Sequence, residues 1–227
     1  MSNDCYLSFC PIAKACDVLE PRWTLLVLCE LFNGAARFNE IHRGVPGISP
    51  TLLSRRLKEM EQNGLLTRTV KGLRGEITYG TTPMAEELRP VVLALGKWAH
   101  RNIDEDVTLS SLDSRVLMWN VRRKADVALM PPARQWVVQF AFNAEGPEDR
   151  EYWLVAKRGS PIDLCTVDPG QDVDLFVHAD LRAMTSVFLG YATLAGEVGR
   201  GKIQLTGDRR LSASMSDWFV RTAYAAA

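Results

Sequence analysis

The 227 residues hold no apolar run near the roughly 18 residues of a membrane span, and no charged-then-apolar signal segment opens them. Together these absences lead to the expectation of a cytoplasmic protein. There is no CxxC pair: the cysteines, Cys5, Cys10, Cys16, Cys29 and Cys165, form an odd set, which argues against a disulfide framework and a structural zinc site. Aspartates 163, 168, 172 and 174 are not spaced as ligands, so neither a metal nor a cofactor is expected. Residues 104–227 contain one histidine, His178, and no Gly-x-Ser-x-Gly, and Cys165 has no nearby basic partner. Without a nucleophile–base pair the chain is not expected to be an enzyme.

Net charge is also missing overall, with 27 basic residues against 27 acidic ones. It reappears when the chain is divided. Residues 1–103 carry +3 and residues 104–227 carry −3. Between 37 and 74 the excess sharpens: Arg37, Arg43, Arg55, Arg56, Lys58, Arg68, Lys71 and Arg74 face only Glu40, Glu59 and Glu61. A local basic stretch of this kind is an electrostatic footprint for phosphate.

The first half reads as short helices. Pro11 starts one, with Ile12, Ala15, Cys16 and Leu19 on its apolar face. A second runs from near Pro21 through Phe32, apolar almost all round and therefore buried, and Asn33-Gly34 stops it. A third covers 37–43, followed by the turn Val45-Pro46-Gly47. Ser49 caps a fourth with Pro50 at its first position, and Asn63-Gly64 ends it after Gln62. Extended segments at 65–70 and 76–81 flank the loop 71–75 as a hairpin. A long closing helix runs from Thr82-Pro83 to about 102, with Leu88, Val91, Val92, Leu95 and Trp98 as its apolar stripe and a kink expected at Pro90. Three helices, a recognition-type helix, a hairpin and a closing helix are the order of a winged helix-turn-helix.

On a helical wheel, residues 51–62 partition cleanly. Leu53, Leu57 and Met60 share one side, with Leu52 on the flank; Thr51, Ser54, Arg55, Lys58 and Gln62 share the other. A helix that reads DNA needs this division, one face locked into a core and the other carrying donors to the major groove. Arg55 is suited to fork onto guanine, Lys58 to meet phosphate, and Ser49, Thr51 and Ser54 to sit near phosphate at the amino end. Arg56 falls on the core side, where pairing with an acid or touching the DNA backbone is expected. Arg37, Lys71 and Arg74 complete the candidate DNA contacts. An ordinary amphipathic helix with a polar outer face would show the same wheel, so the hairpin and the basic bias carry part of the argument.

The second half differs in texture. A helix at 112–125 precedes strand-like runs at 135–142, 151–157, 162–167 and 173–177, a helix at 180–198, a strand at 202–206 and a last helix at 208–223. The expected architecture is α+β in two domains: a mainly helical winged domain at 1–103, an acidic linker at 104–111, and at 112–227 a mainly antiparallel sheet packed with helices. Trp119, Trp136, Phe140, Trp153, Met184, Phe188, Tyr191, Met215, Trp218 and Phe219 recur at core spacings. Such stripes form plain core or line an apolar ligand pocket.

Cys10-Pro11-Ile12, Arg22-Trp23-Thr24-Leu25-Leu26, Arg37-Phe38-Asn39-Glu40-Ile41, Pro46-Gly47-Ile48-Ser49 and Leu53-Ser54-Arg55-Arg56-Leu57 resemble the HxlR family of bacterial regulators. The likeness runs on through Glu59, Gly64-Leu65, Tyr79, Thr82-Pro83 and Trp98, covering about residues 8–103. It implies a homodimer on roughly palindromic operator DNA, joined through its amino-terminal and closing helices. The glycine-rich loop 71–75 departs mildly from the family pattern and implies looser wing contacts. The resemblance also raises Cys10 as a redox sensor, since a helix amino end favours thiolate; a small half-buried structural residue is the competing reading.

Asp172-Val-Asp-Leu-Phe-Val177, Ala179-Asp-Leu181, Gly190, Gly201-Lys-Ile-Gln-Leu-Thr-Gly207 and Trp218-Phe219 resemble the sterol-carrier-type lipid-binding fold over about 112–221. That likeness implies an apolar pocket between sheet and helices, and with it an effector-responsive repressor or activator. A dimerisation or partner-docking module is the alternative for this half.

Overall fold

The computed structural model describes residues 6, 8–72, 75–143 and 151–225. The chain divides into two compact units, Met1–Leu95 and Gly96–Ala227.

In the first unit, α1 (Pro11–Leu19) begins with Pro11 directly after Cys10, where a missing N–H costs nothing. Helix α2 (Thr24–Phe32) starts three residues later than Pro21, because Trp23 takes a left-handed conformation with φ +83°. Val27, Leu28 and Leu31 of α2 are buried and centre the core, but the helix is not buried all round as its apolar sequence suggested, since Leu26 is 51% exposed. Helix α3 (Phe38–Gly44) and helix α4 (Pro50–Gln62) form the helix-turn-helix, joined through buried Val45 and Ile48.

Strands β1 (Leu66–Lys71) and β2 (Glu76–Thr81) pair antiparallel in the expected hairpin, Leu66 opposite Thr81 and Lys71 opposite Glu76. The closing helix is two helices, α5 (Pro83–Glu86) and α6 (Arg89–Asn102). The break falls before Pro90, which has no N–H to donate to the Glu86 carbonyl and whose ring crowds it. On α6, whose residues from Gly96 onward belong to the second unit, Val92 is buried while Val91, Leu95 and Trp98 stand 58%, 48% and 53% exposed.

In the second unit, the stretch expected as a linker contains a short helix, α7 (Glu105–Thr108), capped by Asp104. Asp106 pairs with Arg182, Glu105 accepts from the Ser186 hydroxyl at 3.2 Å, and Leu109 is buried. These anchors make the segment part of the second unit's packing, whereas its acidic composition suggested a solvated connection.

Helix α8 (Ser114–Lys124) and a 3₁₀ turn (Val127–Leu129) lead into the sheet. Its strands are β3 (Trp136–Asn143), β4 (Glu151–Ala156), β5 (Asp163–Cys165), β6 (Leu175–Asp180) and β7 (Ile203–Gly207), in the order β5-β4-β3-β6-β7. All neighbours are antiparallel except β3 and β6, which run parallel with Val138 opposite Leu175. The expected helix at 180–198 is divided into α9 (Leu181–Leu189) and α10 (Leu194–Gly199). Gly190 ends α9 at φ +83°, a left-handed cap that glycine adopts without steric cost. The last helix is likewise divided into α11 (Arg209–Ala213) and α12 (Met215–Trp218), and ends earlier than expected. One face of the sheet, with Val138, Phe140, Tyr152, Leu154, Leu175 and Val177, packs with α8, α9, α11 and α12 in a single buried cluster.

Candidate nucleic-acid interface

Helix α4 begins where its sequence says it should. The Ser49 hydroxyl accepts from the Leu52 N–H at 3.2 Å, and Pro50 occupies the first turn. Leu53, Leu57 and Met60 are at most 2% exposed, and Ser49, Thr51, Ser54, Arg55 and Lys58 are exposed. The buried row fixes the rotation of the helix, so the hydroxyl and cationic row has no choice but to face outward.

The turn before α4 is held from α3. His42 on α3 hydrogen-bonds through Nε2 to the Ile48 carbonyl at 3.0 Å and stacks on Phe38. Glu40 accepts from the backbone N–H groups of both Ala36 and Arg37, at 2.9 and 3.0 Å, and so caps α3. The Ala36 carbonyl in turn accepts from the Tyr79 N–H at 2.7 Å, which ties the hairpin to the start of the helix-turn-helix.

Arg37 is exposed, and its guanidinium lies 2.5 Å from Glu76 of β2. It therefore joins the start of α3 to the hairpin. Lys71 ends β1 in solvent; Arg74 lies outside the described residues. Two acids pair with Arg37, Arg55 and Arg56. Glu76 is one, and Glu59, three and four positions beyond Arg56 and Arg55, is the other. The spacing of Glu59 was a usable signal; the Arg37–Glu76 pairing depends on tertiary placement. Arg56, expected on the core side, is 9% exposed and pairs with Glu59.

Cys10 sits half-buried immediately before α1. The N–H groups of Ala13 and then Ile12 stabilise its thiolate and hold its pKa below the ordinary thiol range, against a small opposing effect of burial.

In the second unit, seven of the ten candidate pocket residues converge: Trp136, Phe140, Met184, Phe188, Met215, Trp218 and Phe219 belong to the buried cluster. The other three lie elsewhere. Trp153 alternates with Tyr152 and Leu154 of β4 and so faces the opposite side of the sheet. Trp119 is buried beneath the guanidinium groups of Arg122 and Arg123, and Tyr191 is half-exposed and stacked on His100 at 4.5 Å. Among the described residues, no three His, Cys, Asp or Glu side chains converge as metal ligands would, and no helix is long and apolar enough to cross a membrane.

The sequence pattern described as HxlR-like helix-turn-helix matches residues 18–107, which contain α2 to α6. The HTH-type transcriptional regulator YvaP of Bacillus subtilis is 39% identical over 97 residues, which span 42% of this chain and 90% of YvaP. An HTH-type transcriptional regulator of Methanothermobacter thermautotrophicus is 35% identical over 99 residues, spanning 43% of this chain and 74% of its own length. Among solved structures, the reduced form of the transcriptional regulator YodB from B. subtilis is 32% identical, with 43% of this chain and 97% of that one covered at a TM-score of 0.38. Each of these likenesses spans less than half of the chain. Since nine-tenths of YvaP is matched at this identity, the chain belongs to the HxlR-like helix-turn-helix family of transcriptional regulators.

Proposed function

We propose that this chain binds operator DNA as a homodimer, placing α4 of each copy in the major groove. The observation that carries the reading is the exposed row of Thr51, Ser54, Arg55 and Lys58 standing over the buried Leu53, Leu57 and Met60. Arg55 presents a planar fork to a guanine edge; Lys58 and Lys71 meet phosphates; the hydroxyls of Ser49, Thr51 and Ser54 sit toward the amino end of α4, where the helix dipole favours phosphate. Dimerisation is supported by the apolar surface left on α6 at Val91 and Leu95, and by Ile12 of α1 at 73% exposure. A second copy would cover such a surface, and two α4 helices would then meet half-sites about one helical turn apart.

The second unit is, in this reading, an effector module of sterol-carrier type for a lipophilic ligand. The support is the convergence of Trp136, Phe140, Met184, Phe188 and Phe219 between one sheet face and its helices. Such a ligand regulates only by preferring one of two dimer arrangements.

The test is fluorescence anisotropy on a duplex from the protein's own upstream region. Arg55→Ala is expected to weaken operator binding by about 1–3 kcal/mol and to relax sequence preference. Lys71→Ala is expected to weaken all duplexes alike and to lower the salt slope by about one unit. Unchanged binding in both variants would show that the wrong face has been assigned. For the second unit, native mass spectrometry of the purified protein distinguishes a co-purifying apolar compound from an empty domain that serves docking.

A further inference from the structure

Glu59 lies on α4 where two arginines reach it. One oxygen, Oε2, accepts from Nη1 of Arg56, whose side chain is 11% exposed. The other, Oε1, lies 3.8 Å from Nε of Arg55, whose side chain is 67% exposed. One carboxylate thus connects a cation set in the core to a cation standing in solvent. Arg56 has little freedom, since its neighbours Leu53, Leu57 and Met60 are fully packed. Its own Nε is buried without a hydrogen-bond partner among the described residues. An ion pair whose acid is 41% exposed and whose arginine keeps an unmet donor is weak ground for stability, so its presence in the recognition helix calls for a different role.

Resting on the reading above, in which Arg55 meets a base edge, we propose that Glu59 positions Arg55 for sequence discrimination, and that buried Arg56 holds Glu59 in place for the task. A long side chain oriented before binding loses less freedom when it docks, and a fork aimed at one base edge discriminates better than a free one. Glu59 has a second, opposite effect. Its negative charge at the DNA-facing surface repels phosphate whatever the sequence. Neutralising it therefore strengthens binding to arbitrary DNA while weakening the preference for the operator. A residue that served the fold alone would lower both together.

The experiment compares wild type, Glu59→Gln, Arg56→Met and Arg55→Ala on the upstream duplex and on a shuffled duplex of the same composition, with a urea unfolding curve for each protein. Glu59→Gln is expected to bind the shuffled duplex more tightly than wild type and to lose about tenfold in discrimination. Arg56→Met leaves the acid charged and removes the cation paired with it, so it is expected to bind the shuffled duplex no more tightly than wild type while losing discrimination. It also decides the matter if Glu59→Gln does not fold. If Glu59→Gln weakens both duplexes equally, or keeps full discrimination while Arg55→Ala loses it, the positioning role is wrong and base reading by Arg55 stands. If Arg55→Ala itself keeps full discrimination, the base-reading assignment fails and the role of Glu59 fails with it.

Discussion

In the first unit the side chains that distinguish the sequence point away from the core: Thr51, Ser54, Arg55 and Lys58 are exposed above a packed apolar row. In the second unit the distinguishing side chains, among them Phe140, Met184 and Trp218, are fully buried. The contrast matters because the two kinds of residue are not equally informative. A cationic, hydroxyl-rich face that the core has turned outward must do something with solvent or a partner. Large apolar groups turned inward are what any core requires, so they support a ligand site only in combination with other observations.

The contrast can be tested by substitution, and the largest effect belongs to the buried side. Trp218 is wholly buried, and its indole N–H donates to the Leu211 carbonyl at 3.1 Å. Trp218→Ala is expected to destabilise the protein by about 3–5 kcal/mol, measured by urea unfolding, whereas Arg55→Ala should shift the midpoint by less than about 0.5 kcal/mol. Comparable losses in the two variants would erase the distinction between inward and outward residues.

Next in size is Gly44, at the end of α3. A Cβ there would overlap the carboxylate of Glu30, which is buried at 5% exposure. Gly44→Ala is expected to cost about 1–3 kcal/mol of unfolding free energy through overpacking. A neutral result would mean that the Glu30 side chain moves aside. Smaller still, Ser49→Ala removes the cap of α4 and should cost about 1 kcal/mol, with faster amide exchange in the first turn of that helix.

The smallest effect concerns a rate. Because neighbouring N–H groups hold the Cys10 thiol below its ordinary pKa, its thiolate is populated at lower pH than that of an unperturbed cysteine. Its rate of iodoacetamide alkylation, followed by peptide mass spectrometry, should rise with a midpoint below the ordinary thiol value. A midpoint at or above that value would remove the physical basis for a sensing role.

Local chemistry explains what could be read from the sequence. Ser49 and Pro50 marked the start of α4, Asn63-Gly64 its end, and the hairpin strands fell within a residue of expectation, because caps, turns and alternation act over a few residues. The face of α4 was legible for the same reason, since 3.6-residue periodicity fixes which side is buried. Less was visible where the cause was distant or divided. The parallel pairing of β3 with β6 joins residues almost forty apart, and no local pattern encodes it. Gly190 and Ser214 interrupt runs whose periodicity alone suggested continuous helices. The acid at 76 meets Arg37 only when the hairpin folds back onto α3. Glu59 stands at the right spacing for both arginines, but an acid partner was expected for Arg56 alone.

The outward face of α4 can be tested most directly by selection on a randomised duplex library, with wild type and Arg55→Ala run in parallel and bound DNA sequenced. The account predicts that wild type enriches two symmetric half-sites spaced by about 10 base pairs, and that Arg55→Ala loses preference at one position in each half while retaining the rest. The same enriched motif from both proteins, or no motif from wild type, would contradict it.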